Sequence, residues 1–289
     1  MSKTEIDHIS GTETTGHEWD GIKELNTPLP RWWLWTFYIT IIWAIGYTVF
    51  YPAWPLISTN TKGLLGYSSR GQVAAELAAA EAAKGGIIAK IASTDVADIA
   101  ADPELSRFAI AAGHSTFKVY CSQCHGSGAQ GGPGYPNLND DDWLWGGTID
   151  DIFTTINHGI RFAADDDTRI SEMPAFGLDG LLDRTQIEDV ASYVLSLSGK
   201  DHDAAAAEAG KAIFADNCAS CHGEDGKGDI SLGAPNLADA IWFYGDTKLA
   251  IMAQVNNPRH GVMPAWGPRL GETTVKELAV YIHSLGGGE

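Results

Sequence analysis

The sequence predicts a mainly α-helical protein with one N-terminal transmembrane helix followed by two tandem helical domains of similar design. Three observations support this prediction. An uncharged stretch rich in aromatic residues lies near the N-terminus, one sequence unit occurs twice in the second half, and each copy contains a Cys-x-x-Cys-His segment. At 289 residues the chain is long enough for about two soluble domains in addition to the membrane helix.

The N-terminal hydrophobic stretch has the length and flanks of a membrane-spanning helix. Residues 32–50 contain no charge, and 19 residues at about 1.5 Å each nearly cross a hydrocarbon core of about 30 Å. Aromatic residues lie at both ends, as in the interfacial belts of spanning helices. We therefore expect a poorly ordered tail over residues 1–31 and a transmembrane anchor over residues 32–54.

Two other interpretations of this stretch are less favoured. A cleaved signal peptide needs a short basic leader, but the residues before Trp32 hold six acids against three bases. A buried core helix would have a polar face, which this stretch lacks.

The remainder of the chain divides into a tether and a repeat. Residues 55–103 are expected to form a helical tether, with a helix over 72–84 that Gly85 and Gly86 interrupt. The repeated unit predicts two domains, over residues 104–200 and 201–289, whose copies start 97 residues apart. The matched residues are Gly113 and Gly210, Phe117 and Phe214, Cys121 and Cys218, Met173 and Met263, and Tyr193 and Tyr281.

The chain is strongly acidic: 37 Asp and Glu residues against 19 Lys and Arg residues give a formal net charge of −18. Proteins that bind nucleic acid need clustered basic side chains for the phosphates, and the sequence has no such cluster, so this class of function is excluded. A basic partner is favoured instead. Residues 104–289 carry 26 acidic and 12 basic side chains, so −14 of the charge belongs to the repeated units.

Each repeat contains two cysteines followed directly by a histidine. These residues are Cys121, Cys124 and His125 in the first copy and Cys218, Cys221 and His222 in the second. Paired cysteines serve in thiol redox chemistry, zinc binding or covalent haem attachment. A thiol redox site needs no adjacent histidine, and a zinc ribbon separates its pairs by about 15 to 20 residues, whereas Cys124 and Cys218 are 94 apart. Two copies of the haem attachment segment therefore predict two covalently attached haem c groups.

A second axial ligand for each haem iron is expected from methionine. Met173 and Met263 lie in matched Met-Pro-Ala-aromatic-Gly segments, 48 residues after His125 and 41 residues after His222. Ligation by histidine and methionine raises the reduction potential of a haem and suits electron transfer.

Two histidines and three arginines near the methionine segments are further candidates. His158 and His260 are alternative ligands, which would give ligation by two histidines and a lower potential. Arg161, Arg169 and Arg259 lie shortly before the methionine segments. They could form ion pairs with haem propionates, or they could be ordinary solvated arginines on the surface, and the sequence favours neither alternative.

Together these residues resemble the membrane-anchored di-haem cytochrome c subunit, CcoP or FixP (subunit III), of the cbb-type haem-copper oxidases. The resemblance covers most of the chain. It rests on the segment Asn26-Thr27-Pro28-Leu29-Pro30-Arg31-Trp32-Trp33, on Ile45-Gly46-Tyr47 within the anchor, and on both haem segments with their methionine segments. It implies that the repeats are class I cytochrome c-like domains. Cys121, Cys124, His125 and Met173 match the first haem motif of the family, and Cys218, Cys221, His222 and Met263 match the second.

The resemblance also implies a function and partners. The family passes electrons inward through a mono-haem cytochrome c subunit to a catalytic haem-copper subunit, so the oxygen-reducing centre is expected outside this chain, and no catalytic residue is assigned here. The acidic charge of the repeats, and not the resemblance, leads us to expect that a soluble, basic donor cytochrome c docks on the haem domains. Because haem is attached on the oxidising side of bacterial membranes, we expect a single-pass inner-membrane protein with periplasmic haem domains and a cytoplasmic tail.

Other classes of function stay open from the sequence. A di-haem peroxidase would need one iron with an open or displaceable site. The chain is also compatible with the cytochrome subunit of a periplasmic dehydrogenase or a nitric oxide reductase, although the anchor and the Pro30-Arg31-Trp32 segment favour the oxidase subunit over the dehydrogenase partner.

Overall fold

The computed structural model describes residues 4–287, and over that range the protein is mainly helical, which confirms the predicted fold class. Two short strands, β1 (Thr14–Trp19) and β2 (Ile22–Leu25), precede the helices. The helices are α1 (Arg31–Phe50), α2 (Ser69–Ser93), α3 (Val96–Ala101), α4 (Pro103–Tyr120), α5 (Ser122–His125), α6 (Ile149–His158), α7 (Arg184–Leu197), α8 (Ala204–Asn217), α9 (Ala219–His222), α10 (Lys248–Asn256), α11 (Gly267–Leu270) and α12 (Glu272–His283).

The chain forms two compact units, Met1–Ala83 and Lys84–Glu289. In the first unit β1 and β2 pair antiparallel around Asp20 and Gly21, whose φ angles of 47° and 85° suit a tight hairpin turn. The expectation of a poorly ordered tail is therefore wrong for this segment. An Asp-Gly pair between two short runs is the sequence signal that indicates such a hairpin.

Helix α1 has the properties of a membrane span. It is 20 residues long, follows Pro30 and ends before Tyr51, and none of its residues is buried within the protein. Proline suits the position before the helix because it lacks the N–H that would otherwise need a partner there. The Thr36 hydroxyl donates to the carbonyl of Trp32 one turn earlier, so the helix satisfies this polar group internally.

Helix α2 is longer than the sequence predicts. It runs for 25 residues and continues through Gly85 and Gly86, so the expected interruption is wrong. The surrounding alanines have the highest helix propensity and offset a cost of about 1 kcal/mol for each glycine. At its end, Lys276 of α12 donates to the carbonyl oxygens of Ala92 and Thr94.

The second unit contains two hydrophobic cores. The first core is formed by α3, α4, α6 and α12 and includes the fully buried Phe117 and Val275. The second core is formed by α7, α8 and α10 and includes the buried Val190 and Phe214.

The helix pairs that build these cores cross the boundary between the repeats. Helix α4 of the first repeat packs against α12 of the second, and α8 of the second packs against α7 of the first. Gly113 lies so close to the backbone of Glu277 that a Cβ would not fit, and Gly210 lies equally close to the backbone of Asp189. Each core therefore combines the N-terminal helix of one repeat with the C-terminal helix of the other: α4 with α12, and α8 with α7. The predicted segments 104–200 and 201–289 are the two repeats along the sequence, and neither segment forms a core by itself.

Candidate haem-binding sites

Each Cys-x-x-Cys-His segment begins where a core helix ends. The backbone N–H of Cys121 closes the last turn of α4, and the N–H of Cys218 closes the last turn of α8. The short helices α5 and α9 then carry the second cysteine and the histidine of each segment. Cys124 and Cys221 are exposed, while the first cysteine of each segment packs into a core.

The thiols do not support the two alternatives to haem attachment. All four cysteines are free, and burial raises the pKa of Cys121 and of Cys218 to about 11, which disfavours the thiolate that thiol redox chemistry needs. Cys121 packs against the first core and Cys218 lies in the second core. No cysteine belongs to a group of metal-ligating side chains within residues 4–287, so the two pairs do not form one four-cysteine zinc site.

A backbone carbonyl orients each histidine. His125 Nδ1 lies 3.2 Å from the carbonyl oxygen of Pro136, and His222 Nδ1 lies 3.0 Å from that of Pro235. A carbonyl only accepts, so Nδ1 donates and Nε2 keeps its lone pair. Burial lowers the pKa of both histidines, which favours the neutral ring. A neutral imidazole with a free Nε2 is a suitable ligand for haem iron.

Each methionine packs against the core that contains the cysteine segment of the other repeat. Met263 packs against the first core, as Cys121 does, and Met173 packs against the second core, which contains Cys218. Ile160 of the first repeat exchanges two backbone hydrogen bonds with Met263, with N···O distances of 2.9 and 3.0 Å. This packing differs from the pairing that sequence order implies, in which each methionine joins the Cys-x-x-Cys-His segment of its own repeat.

Matched contacts support the two methionine segments. Gly177 packs against Asn256 at the end of α10, and Gly267 packs against Asn157 near the end of α6, with no room for a Cβ at either glycine. The N–H of Leu178 also donates to the carbonyl oxygen of Asn256 at 3.0 Å. Each methionine segment thus rests on a helix of the other repeat.

The alternative histidine ligands have other surroundings. His158 Nδ1 lies 3.1 Å from a carboxylate oxygen of Asp165, and its Nε2 lies 2.9 Å from Nδ2 of Asn157, so both ring nitrogens have partners. His260 is exposed. Methionine is the better candidate at both sites.

The three arginines that the sequence suggests for propionates have protein partners. Arg169 forms an ion pair with Asp151, with an Nη2–Oδ1 distance of 2.9 Å. Arg259 lies over the ring of Tyr244, with its Cζ 4.2 Å from the ring centroid. Arg161 donates to two backbone carbonyls.

Two tryptophans that sequence reasoning missed lie at matched positions, each five residues after the leucine of a Pro-Asn-Leu segment. Trp143 Nε1 donates to the carbonyl of Gly287, whereas Trp242 Nε1 is buried and has no partner within residues 4–287. An unpaired buried donor costs about 1–3 kcal/mol unless a bound group or an ordered water supplies the acceptor. Haem propionates are such acceptors, and this orphaned donor together with the cysteine, histidine and methionine set fits haem.

The fold and the sites define a class of protein: a c-type cytochrome with two haem attachment segments in helical cores, preceded by the one candidate membrane helix found within residues 4–287. Comparison with known proteins narrows the class. Residues 11–58 match the N-terminal domain of cytochrome oxidase-cbb3, FixP, and residues 108–194 and 205–282 match cytochrome c oxidase, cbb3-type, subunit III.

Similar proteins match over nearly the whole chain. The cbb3-type cytochrome c oxidase subunit FixP of Sinorhizobium medicae is 61% identical over 284 residues, which cover 98% of both chains. The subunit CcoP of Cereibacter sphaeroides is 57% identical over 276 residues, which cover 96% of this chain and 95% of its own. The chain belongs to the FixP/CcoP family of cbb3-type cytochrome c oxidase subunits, as its motifs indicated.

Proposed function

We propose that this chain is the electron-transfer subunit of a cbb3-type cytochrome c oxidase. It passes electrons from a soluble donor cytochrome through two covalently bound haem c groups towards the catalytic haem-copper subunit, by way of a mono-haem cytochrome subunit. The observation that carries this proposal is the pair of equivalently built haem attachment segments in a chain that matches an oxidase subunit over 98% of its length. The relatives named above are oxidase subunits, which disfavours a peroxidase, a dehydrogenase cytochrome or a nitric oxide reductase cytochrome.

Purification of the intact complex tests this assignment. A tagged copy of this chain, solubilised from its membrane in mild detergent, should bring with it a large haem subunit that contains copper. The same tag on an unrelated membrane protein controls for adventitious capture. Absence of a copper-containing partner would refute the assignment.

The residues of each site supply attachment and axial ligation. Cys121, Cys124, Cys218 and Cys221 would form the covalent bonds to haem, and His125, His222, Met173 and Met263 would hold the iron. Haem bound in this way would supply one-electron transfer. Neutral imidazole and soft thioether ligands add no negative charge, so they favour the reduced state and raise the potential. Trp242 Nε1 is the donor for a propionate.

We further assign the axial methionines across the repeats. Met263 serves the site of His125, and Met173 serves the site of His222. The packing of Met263 with Cys121, and of Met173 with the core of Cys218, supports this assignment. Each methionine also precedes the helix that packs in that core, since Met173 leads to α7 and Met263 leads to α12.

Variants of the full chain that hold a single haem test the exchanged ligands. Replacing Cys218 and Cys221 with alanine leaves only the first segment able to attach haem, and a haem assay should fall from two groups per chain to one. In that background Met263→Ala should abolish the far-red charge-transfer band of methionine-ligated ferric haem, whereas Met173→Ala should preserve it. Met252→Ala, in α10, is the matched control. Loss of the band in Met173→Ala alone would establish the sequence-order pairing instead.

The orientation in the membrane follows from the attachment chemistry. Haem attachment needs reduced thiols on the oxidising side of the bacterial inner membrane, so the two haem domains belong in the periplasm and the β1–β2 hairpin in the cytoplasm. Protease added to intact spheroplasts should digest the haem domains and spare an N-terminal tag. Digestion of the tag before the haem domains would show that the protein has the opposite orientation.

The donor is a basic cytochrome that docks on the acidic haem domains. Asp141 and Asp166 are exposed in the two longest acidic runs, so the charge is available at the surface. Oxidation of a basic c-type cytochrome by the complex should slow roughly tenfold or more between about 0.02 and 0.2 M salt. The double change Asp141→Lys and Asp166→Lys should slow it at low salt, whereas Asp20→Lys in the tail should not. A rate independent of salt would contradict electrostatic docking.

A further inference from the structure

One segment of the first repeat has no counterpart in the second. Asn157 and Asn256 occupy matched positions against the methionine segments, and Arg169 and Arg259 each precede a methionine by four residues. Twelve positions separate Asn157 from Arg169, but only three separate Asn256 from Arg259. Residues 160–168 are therefore an insertion in the first repeat.

The insertion places Arg161 between the two segments that lead to the methionines. Its Nε donates to the carbonyl oxygen of Gly261 at 2.7 Å, and its Nη1 donates to that of Ser171 at 2.9 Å. Gly261 and Ser171 each lie two residues before a methionine, so they are matched positions of the repeat. Arg161 has a φ of 52°, a left-handed conformation that a non-glycine residue adopts where surrounding contacts hold it.

We propose that Arg161 is a positioning residue that holds both axial methionines at once. This proposal rests on the methionine ligation proposed above and deepens it. A guanidinium presents its donors in a rigid planar fork, so one side chain can hold two carbonyl oxygens at a set separation. Two matched carbonyls that share one guanidinium need only one arginine, which accounts for an insertion in only one of the repeats.

The main chain around Arg161 reinforces this contact. Ile160 pairs with the backbone of Met263, and the N–H of Arg161 donates to the carbonyl oxygen of Arg169 at 2.9 Å. These backbone bonds persist when the side chain is replaced. Loss of the guanidinium should therefore weaken methionine ligation at both sites and leave the fold in place.

Arg161→Met in the full haem-loaded chain tests the proposal, with imidazole as the competing iron ligand. A charge-assisted hydrogen bond of ordinary strength corresponds to roughly a 10- to 100-fold change in an equilibrium constant. We expect imidazole to bind the ferric haem at both sites roughly 10-fold more tightly than in the wild-type chain, and both reduction potentials to fall. Arg184→Met is the matched control, because the Arg184 side chain is 87% exposed and pairs with Glu188 on its own helix.

Arg161→Lys is a second variant. It tests the proposal even if the Arg161→Met protein cannot be produced with both haems attached. Lysine keeps the charge without the fork, so its imidazole affinity should lie between those of the wild type and Arg161→Met. An affinity unchanged at either haem in Arg161→Met, or a lysine variant identical to the wild type at both, would overturn the proposal. If the wild-type chain itself lacks the methionine charge-transfer band, the proposed ligation fails, and the role of Arg161 fails with it.

Discussion

The contact between Phe117 and Tyr281 offers a direct test of how the two repeats are packed together. The ring centroids lie 5.5 Å apart at an interplanar angle of 59°, and Phe117 is fully buried. Such tilted aromatic pairs contribute about 0.5–1.5 kcal/mol beyond the area they bury. In a double-mutant cycle with Phe117→Leu and Tyr281→Leu, we therefore expect a coupling free energy of about 1 kcal/mol. Phe117→Leu combined with Tyr193→Leu should be additive within about 0.5 kcal/mol, because those residues belong to different cores.

The assay is chemical unfolding of the haem-loaded chain in detergent, followed by far-ultraviolet circular dichroism and by haem absorbance. The cycle between Phe214 and Tyr193, whose ring centroids are 5.2 Å apart, is the positive control and should give a similar coupling. If the repeats folded as two self-contained domains, Phe117 would couple to Tyr193 and not to Tyr281. That result would refute the exchanged packing and the ligand assignment that depends on it.

Two further substitutions probe the same unit. Gly210→Ala should lower the free energy of unfolding by about 1–3 kcal/mol, because overpacking of α8 against α7 outweighs the helix preference of alanine. Gly85→Ala in α2 is the control: its added Cβ meets no atom within 4 Å, so thermal melts should show a neutral or stabilising effect. Burial, with the nearby carboxylates of Asp239 and Asp140, raises the pKa of Asp142 from 3.8 to about 6. The folded state therefore binds this proton more tightly than the unfolded state, and the free energy of unfolding falls as pH rises from about 4 to about 6. Asp142→Asn should remove that fall and stabilise the protein by about 1–3 kcal/mol at pH 7, and melts of equal pH dependence in both proteins would contradict this.

The sequence predicts those features that local composition determines. The uncharged aromatic stretch predicts α1, and the Cys-x-x-Cys-His segments predict the residues that we propose to attach haem. Periodicity also shows which face of α4 carries Gly113 and Phe117. It does not show which tyrosine that face meets, because the two repeats carry the same pattern and the helices of Tyr193 and Tyr281 are equally suitable partners. The sequence also does not reveal the contacts of the half-buried Arg161, because an arginine that donates to backbone carbonyls has no partner residue type to recognise.

The length of one connection accounts for the exchange. Helix α7 ends at Leu197 and α8 begins at Ala204, so six residues join them, which span about 20 Å when fully extended. Helices joined by so short a connection usually pack against each other as antiparallel neighbours. Once α7 is paired with α8, the remaining C-terminal helix, α12, must cover α4. The methionine segments are exchanged together with these helices, because the segment of Met173 leads to α7 and the segment of Met263 leads to α12. The second core is thus one continuous stretch of chain inserted into the first, and the first core closes only when α12, at the end of the chain, returns to α4.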